Sequence, residues 1–236
     1  MSTLIQSILD QKQKLESLTP QDLLRQLLPV FGQGIIQANS LGPEDVVITH
    51  MMHQIDPAFL GFTLDTGRLN PETYDLMGRL QERFHLNLKI CFPDQNEVED
   101  MVQKSGINLF YESIENRKRC CQVRKLNPLK RALVGKQAWV CGLRREQSVT
   151  RTEVQKIEVD AGNGGILKIN PLADWSNDDV WNYIRDNNLP YNRLHDQGYP
   201  SIGCAPCTRA VKAGEDERAG RWWWENPESK ECGLHR

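Results

Sequence analysis

Two close cysteine pairs set the strongest constraint on how this chain can fold: Cys120-Cys121, and Cys204-Ala205-Pro206-Cys207 far downstream. Four sulfurs in two pairs can surround one soft metal centre, yet 82 residues lie between Cys121 and Cys204. A fold that uses all four must bring those segments together. A further thiol, Cys232, stands near the C-terminus in Glu231-Cys232-Gly233-Leu234-His235. Seven cysteines in 236 residues are too few for a disulfide scaffold. In a reducing compartment such pairs point to metal binding or catalysis. Cys91 and Cys141 sit inside apolar runs and read as buried filler.

Composition narrows the class. With 39% hydrophobic and 25% charged residues the chain reads as an ordinary globular protein. A net charge of −2 offers no general attraction to nucleic acid or anionic membranes. No apolar run approaches the ~20 residues of a membrane-spanning helix. Met1 to Asp10 lacks the basic flank and apolar core of a signal peptide. A cytoplasmic protein is expected, with no membrane and no nucleic-acid partner.

Along the chain, residues 1–31 predict two amphipathic helices, with Thr19-Pro20 capping the second. Their apolar faces also suit a partner subunit in a homo-oligomer. A strand over 34–39 then runs through Ser40-Leu41-Gly42-Pro43-Glu44-Asp45 into a helix over Val46–His53. Strand, small-residue turn and helix start together present backbone N–H groups to an anion. The pattern repeats: a strand over 59–64, the turn Asp65-Thr66-Gly67, a helix over 71–83, a strand over 86–92 and a helix over 97–104. Such alternation predicts an α/β fold, a parallel sheet flanked by helices. Ligands bind beyond the carboxyl ends of such strands, where Ser40, Gly42, Asp65, Thr66 and Gly67 all fall. His50 and His53 have no third ligand nearby and read as packing. A strand over 137–143 ends in Arg144-Arg145, suited to a bound anion, and a hairpin turns at Asn163-Gly164-Gly165. Ser176 and Asp179 form a capping box. The expected division is an α/β domain over 1–212 and a mobile C-terminal tail over 213–236.

The basic residues around Cys120-Cys121 lower thiol pKa and favour the ligating thiolate. Four cysteines can hold Zn²⁺ or an iron–sulfur cluster. Structural zinc normally uses pairs spaced by two to four residues. Adjacent cysteines reach one small ion with difficulty but can reach two irons of a cubane, so the spacing favours [4Fe–4S]. Cys232 reads as a reactive thiol, with His235 able to lower its pKa when protonated.

Taken together, Cys120-Cys121 with Arg124-Lys125 and Pro128-Leu129, the loop Gly203-Cys204-Ala205-Pro206-Cys207-Thr208-Arg209, Arg218-Ala219-Gly220-Arg221-Trp222-Trp223-Trp224, and Glu231-Cys232-Gly233-Leu234-His235 resemble assimilatory adenylyl-sulfate (APS) reductases. These belong to the larger phosphoadenylyl-sulfate (PAPS) reductase family, and the resemblance runs from about Ile35 to His235. It implies an adenine-nucleotide α-hydrolase-like (PP-loop) sheet and thioredoxin- or glutaredoxin-like reduction of APS to sulfite and AMP. Cys232 would be the nucleophile, with His235 and Lys125 beside it in the catalytic set. Cys120, Cys121, Cys204 and Cys207 would hold a [4Fe–4S] cluster. Ser40 and Gly42 with Leu64, Asp65, Thr66 and Gly67 would line the adenosine site, and Lys125, Arg144, Arg145, Arg218 and Arg221 would face the phosphosulfate.

The phosphate loop departs from the family pattern, because Leu41 stands where a serine is expected directly before the glycine. Glu44-Asp45 resembles the APS-using branch, since two carboxylates repel a 3′-phosphate. Three alternatives remain at this point. They are a PAPS or dual-specificity reductase, an ATP-pyrophosphatase-type thiolating enzyme, and a zinc-stabilised nucleic-acid-binding module. The acidic balance opposes the last.

Overall fold

A computed structural model describes residues 2–148, 151–226, 230 and 233. In chain order the regular elements are α1 (Thr3–Asp10), α2 (Lys12–Glu16), α3 (Pro20–Phe31), β1 (Ile35–Ala38), α4 (Pro43–Ile55), β2 (Gly61–Leu64), α5 (Pro71–Phe84) and β3 (Leu88–Cys91). There follow α6 (Gln95–Ser105), α7 (Ile114–Cys121), α8 (Asn127–Leu133), β4 (Ala138–Val140), β5 (Ile157–Asp160), β6 (Ile166–Ile169) and α9 (Asn177–Asp186). The six strands form one sheet in the order β3-β2-β1-β4-β6-β5. β1 runs parallel to β2 and β4, β4 runs parallel to β6, and β5 is antiparallel to β6. The mostly parallel α/β sheet is the architecture expected from the sequence. Among the described residues no helix is long and apolar enough to cross a membrane.

The chain divides into two compact units. The first comprises residues 1–63, 75–89 and 135–192; the second comprises 64–74, 90–134 and 193–236. In the first unit, Val46, Val47, Ile48 and Met51 of α4 pack with Leu23 and Leu24 of α3, Leu76 and Leu80 of α5, and the strand residues Ala138, Val140, Leu167 and Ile169. Strands buried on both faces need apolar residues at consecutive positions, which is why these segments do not alternate. The expected caps are present. Thr19 Oγ1 accepts the Asp22 N–H at 3.2 Å, and Ser176 and Asp179 bond reciprocally. Gly164, at φ 79°, supplies the left-handed residue of the β5–β6 hairpin. The helix expected over residues 1–31 before the Thr19 cap is broken into two, α1 and α2. His50 and His53 pack against aromatic rings, with His50 3.1 Å from the Tyr183 hydroxyl.

The first unit also contains the point where the chain's path through the sheet reverses, between β1 and β4. In open α/β sheets such a point opens the ligand-binding crevice. Gly142, just past β4, permits the approach of α4: a Cβ there would stand 2.7 Å from Asp45 Oδ1 and from Glu44 Cβ.

The second unit has its own small core of Met101, Leu109, Phe110, Cys121, Cys207 and Trp222. Between α7 and α8 the helix widens into a π turn, Gln122–Leu126, closed by Asn127 N–H donating to Gln122 C=O. Pro128 explains it. In an α register its nitrogen would have to donate to the Arg124 carbonyl, which proline cannot do, and its ring would crowd that carbonyl. Arg117 and Glu225 form a buried bidentate ion pair, at 2.9 and 2.8 Å. Arg117 and Arg221 both stack on Trp222, each 4.7 Å from the ring centre. Packed structure therefore continues beyond residue 212, through the Thr208–Arg221 bridge and the buried Trp222, to Glu225.

Candidate active site

The phosphate-loop region lies in the first unit. β1 delivers Asn39 and Ser40, and Gly42 caps α4 without a side chain, leaving the helix N-terminus open. Buried Gln37, Asn39 and Thr49 bond to one another and to the Asp45 carbonyl, fixing β1 on α4. Asp45 Oδ2 accepts from both the N–H and the hydroxyl of Ser40 at 2.6 Å. Leu41 occupies a left-handed conformation, φ 64°, with its N–H on Asn39 Oδ1. A leucine takes this conformation only at a steric cost. Here the Leu41 side chain is buried in the core, so packing holds the strained residue.

Arg144 also lies in the first unit, but it is buried. Its Nε donates to Glu44 Oε1 at 2.8 Å, and its own backbone N–H is capped by Gln147. Arg145 donates to the Val154 carbonyl. Neither has its guanidinium uncommitted in this arrangement. The two carboxylates expected to repel a 3′-phosphate are likewise engaged, Glu44 by Arg144 and Asp45 by Ser40.

The second unit gathers most of the remaining candidates. Cys120, Cys121, Cys204 and Cys207 line one pocket with Arg117, Arg124, Lys125, Arg221 and Trp222. The 82-residue separation is closed by local ties around the Cys204 loop. Ala205 N–H donates to the Arg68 carbonyl, Asn70 to the Gly203 carbonyl, and Thr208 Oγ1 accepts Gly203 N–H. Gly203 admits Arg221, whose guanidinium occupies the space a Cβ would take. The turn Asp65-Thr66-Gly67, following Leu64 at the end of β2, belongs to this unit. Thr66 Oγ1 lies 3.2 Å from Cys204 Sγ, and Asp65 Oδ1 accepts from Gly67 N–H and the Tyr74 hydroxyl. Burial and that bond push the Tyr74 phenol up to about 12, so it remains a donor. Arg218 Nη2 donates to the Lys230 carbonyl at 3.2 Å. Cys232 and His235 lie outside the described residues.

The thiols do not respond alike to their cationic surroundings. Burial pushes Cys204 up, but Lys125, the Thr66 bond, Arg221 and Arg124 outweigh it and the net shift is downward. Burial dominates at Cys120 and raises it despite Arg124 and Lys125. Cys207 is raised to about 12 by burial and by the neighbouring Cys204. The expectation that the basic run lowers the thiols of the first pair is thus not met at Cys120, and the downward shift falls on Cys204 instead. Desolvation outweighs charge at the others.

None of the six described cysteines is in a disulfide. Among the described residues no group of three or more His, Cys, Asp and Glu is disposed to hold a metal ion; what the four cysteines share is the wall of one pocket. The chemistry of that wall suits an iron–sulfur cluster. Four thiolates would carry concentrated negative charge, and five cationic side chains, Arg68, Arg117, Arg124, Lys125 and Arg221, line the same pocket. Among the described residues two buried donors at the pocket, Arg221 Nε and Trp222 Nε1, lack a hydrogen-bond partner, and donors so placed suit sulfur acceptors. Arg117, Arg124 and Trp222 escaped the sequence reading as site residues. Their signal was present only as the basic run before and after the cysteine pair and as the tryptophan triplet.

The phosphoadenosine phosphosulfate reductase domain matches residues 34–210 of this chain. An adenosine 5′-phosphosulfate reductase of Allochromatium vinosum is 55% identical over 202 residues, covering 86% of this chain and 78% of that protein. The chain belongs to the phosphoadenosine phosphosulfate reductase family. A crystal structure of the phosphoadenylyl-sulfate (PAPS) reductase of Candida auris superposes on this family member with a TM-score of 0.75 at 30% identity, covering 89% of this chain and 98% of that one. Yeast FAD synthetase, at 16% identity and a TM-score of 0.58 over 89% of this chain and 69% of its own, shares the fold. The PP-loop type of sheet expected for this reductase-family chain is thereby shown.

Proposed function

We propose that this chain is an adenylyl-sulfate reductase that converts APS to sulfite and AMP with a thioredoxin- or glutaredoxin-like dithiol. The observation that carries the reading is the convergence of two cysteine pairs and several cations on one pocket, in a chain 55% identical to an adenosine 5′-phosphosulfate reductase. The thiolate of Cys232 attacks the sulfate sulfur, the bond from that sulfur to the phosphate oxygen breaks, and AMP leaves with the electron pair. The S-sulfocysteine is then attacked at its cysteine sulfur by the dithiol. Sulfite departs, the dithiol ends as a disulfide, and Cys232 returns as a thiol. Two electrons pass from dithiol to sulfur.

Attack of a thiolate on an anionic phosphosulfate brings like charges together. Charge-assisted hydrogen bonds of ~1.5–3 kcal/mol each, from Lys125, Arg218 and Arg221, offset that repulsion. Arg144 supports the site differently, by neutralising Glu44 at the start of α4. Cys120, Cys121, Cys204 and Cys207 would hold a [4Fe–4S] cluster, which when bound supplies a fixed charge beside Lys125 without donating electrons. His235 would favour the Cys232 thiolate when protonated.

Incubation with ³⁵S-labelled APS and mass spectrometry of the C-terminal peptide tests the central step. A sulfonate on Cys232, absent from Cys232→Ser, is expected; an unmodified Cys232 during turnover overturns the mechanism. A second reading, acceptance of PAPS, is favoured by the engagement of both Glu44 and Asp45 within the loop, which leaves less charge to repel a 3′-phosphate. The relative turnover of APS and PAPS decides between the two.

A further inference from the structure

Arg124 is almost completely buried, at 9% exposure, on the wall of the cysteine pocket, and no bond made or broken in the reaction above involves it. It sits in the π turn, directly before Lys125. Its Nη1 donates to the backbone carbonyl of Thr66 at 2.7 Å. The same side chain hydrogen-bonds the Cys120 thiol. Gly67, at φ 69°, lies against it, since a Cβ there would stand 3.5 Å from Nη1. Thr66 in turn places its hydroxyl 3.2 Å from Cys204 Sγ. One cation therefore touches both a backbone carbonyl of the 65–67 turn and a thiol of the first pair, while Thr66 reaches the second pair.

We propose that Arg124 is a positioning residue that couples the 65–67 turn to the cysteine pocket, setting the backbone against which the nucleotide rests. This rests on the functional reading, in which that turn faces adenosine. The bond it makes is to a main-chain carbonyl, so no side-chain change in the turn can replace it. A cation this buried also needs both partners to offset its desolvation. Movement of the turn and movement of Cys120 are then linked, and linkage is reciprocal: what tightens the turn steadies the pocket.

The test compares the wild-type protein, Arg124→Met and Arg124→Lys, purified anaerobically, by AMP titration and by steady-state kinetics with APS. Losing a charge-assisted bond of ~1.5–3 kcal/mol corresponds to a fold-change of about ten or more. In Arg124→Met, Kd for AMP and KM for APS should both rise about tenfold. Arg124→Lys, which keeps one charged donor, should recover most of the loss. A variant that merely unfolds in part would lose kcat with KM unchanged, and that result overturns the proposal. So does an Arg124→Met variant that binds AMP as tightly as wild type. A wild-type protein that binds AMP poorly overturns the functional reading instead, and this proposal with it.

Discussion

Asp45 illustrates how burial and hydrogen bonding compete at one residue. Its carboxyl accepts twice from Ser40, yet burial outweighs those bonds and the neighbouring Glu44 adds to the effect, raising its pKa from 3.8 to about 6. The folded protein thus keeps this proton over a range in which the unfolded chain has lost it. The group's contribution to stability is complete below about pH 3.8 and is lost as pH rises to about 6, a change of about 3 kcal/mol. Asp45→Asn removes the ionisation. In urea titrations, wild-type stability relative to that variant should therefore decline between pH 4 and pH 7. A flat difference across that window would show that Asp45 ionises like an exposed carboxyl. Such balances are hard to read from sequence. Arg144 and Arg221 look alike as arginines near site motifs, and only the fold reveals that one is bound to Glu44 while the other stacks on Trp222 beside the thiols. The Arg117–Glu225 pair spans 108 residues and carries no local signature at all.

At the level of elements, the strand–helix alternation, the Thr19 and Ser176 caps and the glycine hairpin were legible because each is a local pattern. The cysteine pairs stood out by their close spacing, and the fold sets all four on the wall of one pocket. The π turn was not. Its cause is a proline that also fits an ordinary helix start. Its effect is a change of register, which a residue pattern does not display. The turn separates Cys120, in the last turn of α7, from Lys125 within it, and both reach the pocket wall. Pro128→Ala restores an N–H able to bond the Arg124 carbonyl, so the helix can relax to an α register and turn Lys125 aside. Melting temperature should hold or rise, while single-turnover formation of S-sulfocysteine slows several-fold. An unchanged rate would mean that something other than Pro128 sets the register. Arg124 was missed for a related reason, since its partner is a main-chain carbonyl that any residue in place of Thr66 would supply.

At the level of the molecule, the two units differ in what holds them. The first has a broad apolar core around its strands, whereas the core of the second is small and includes two of the pocket cysteines themselves. With the proposed cluster in place, removing iron from the anaerobically purified protein should accordingly act unevenly. Amide protection should fall across residues 113–133 and 203–222 and persist in β1, β4 and β6, as read by hydrogen exchange. Equal loss in both units would argue that the cysteines brace nothing in particular.

The interleaving of the two units has a consequence in time. The second unit is assembled from three separated stretches, and its pocket needs both Cys121 and Cys204. As the chain is made, Cys120 and Cys121 appear long before their partners and cannot be enclosed until Cys207 has emerged. Long-range closure of this kind is slow relative to the formation of single helices. The first pair is therefore exposed as free thiols in a basic setting from the time Cys121 is made until Cys207 follows.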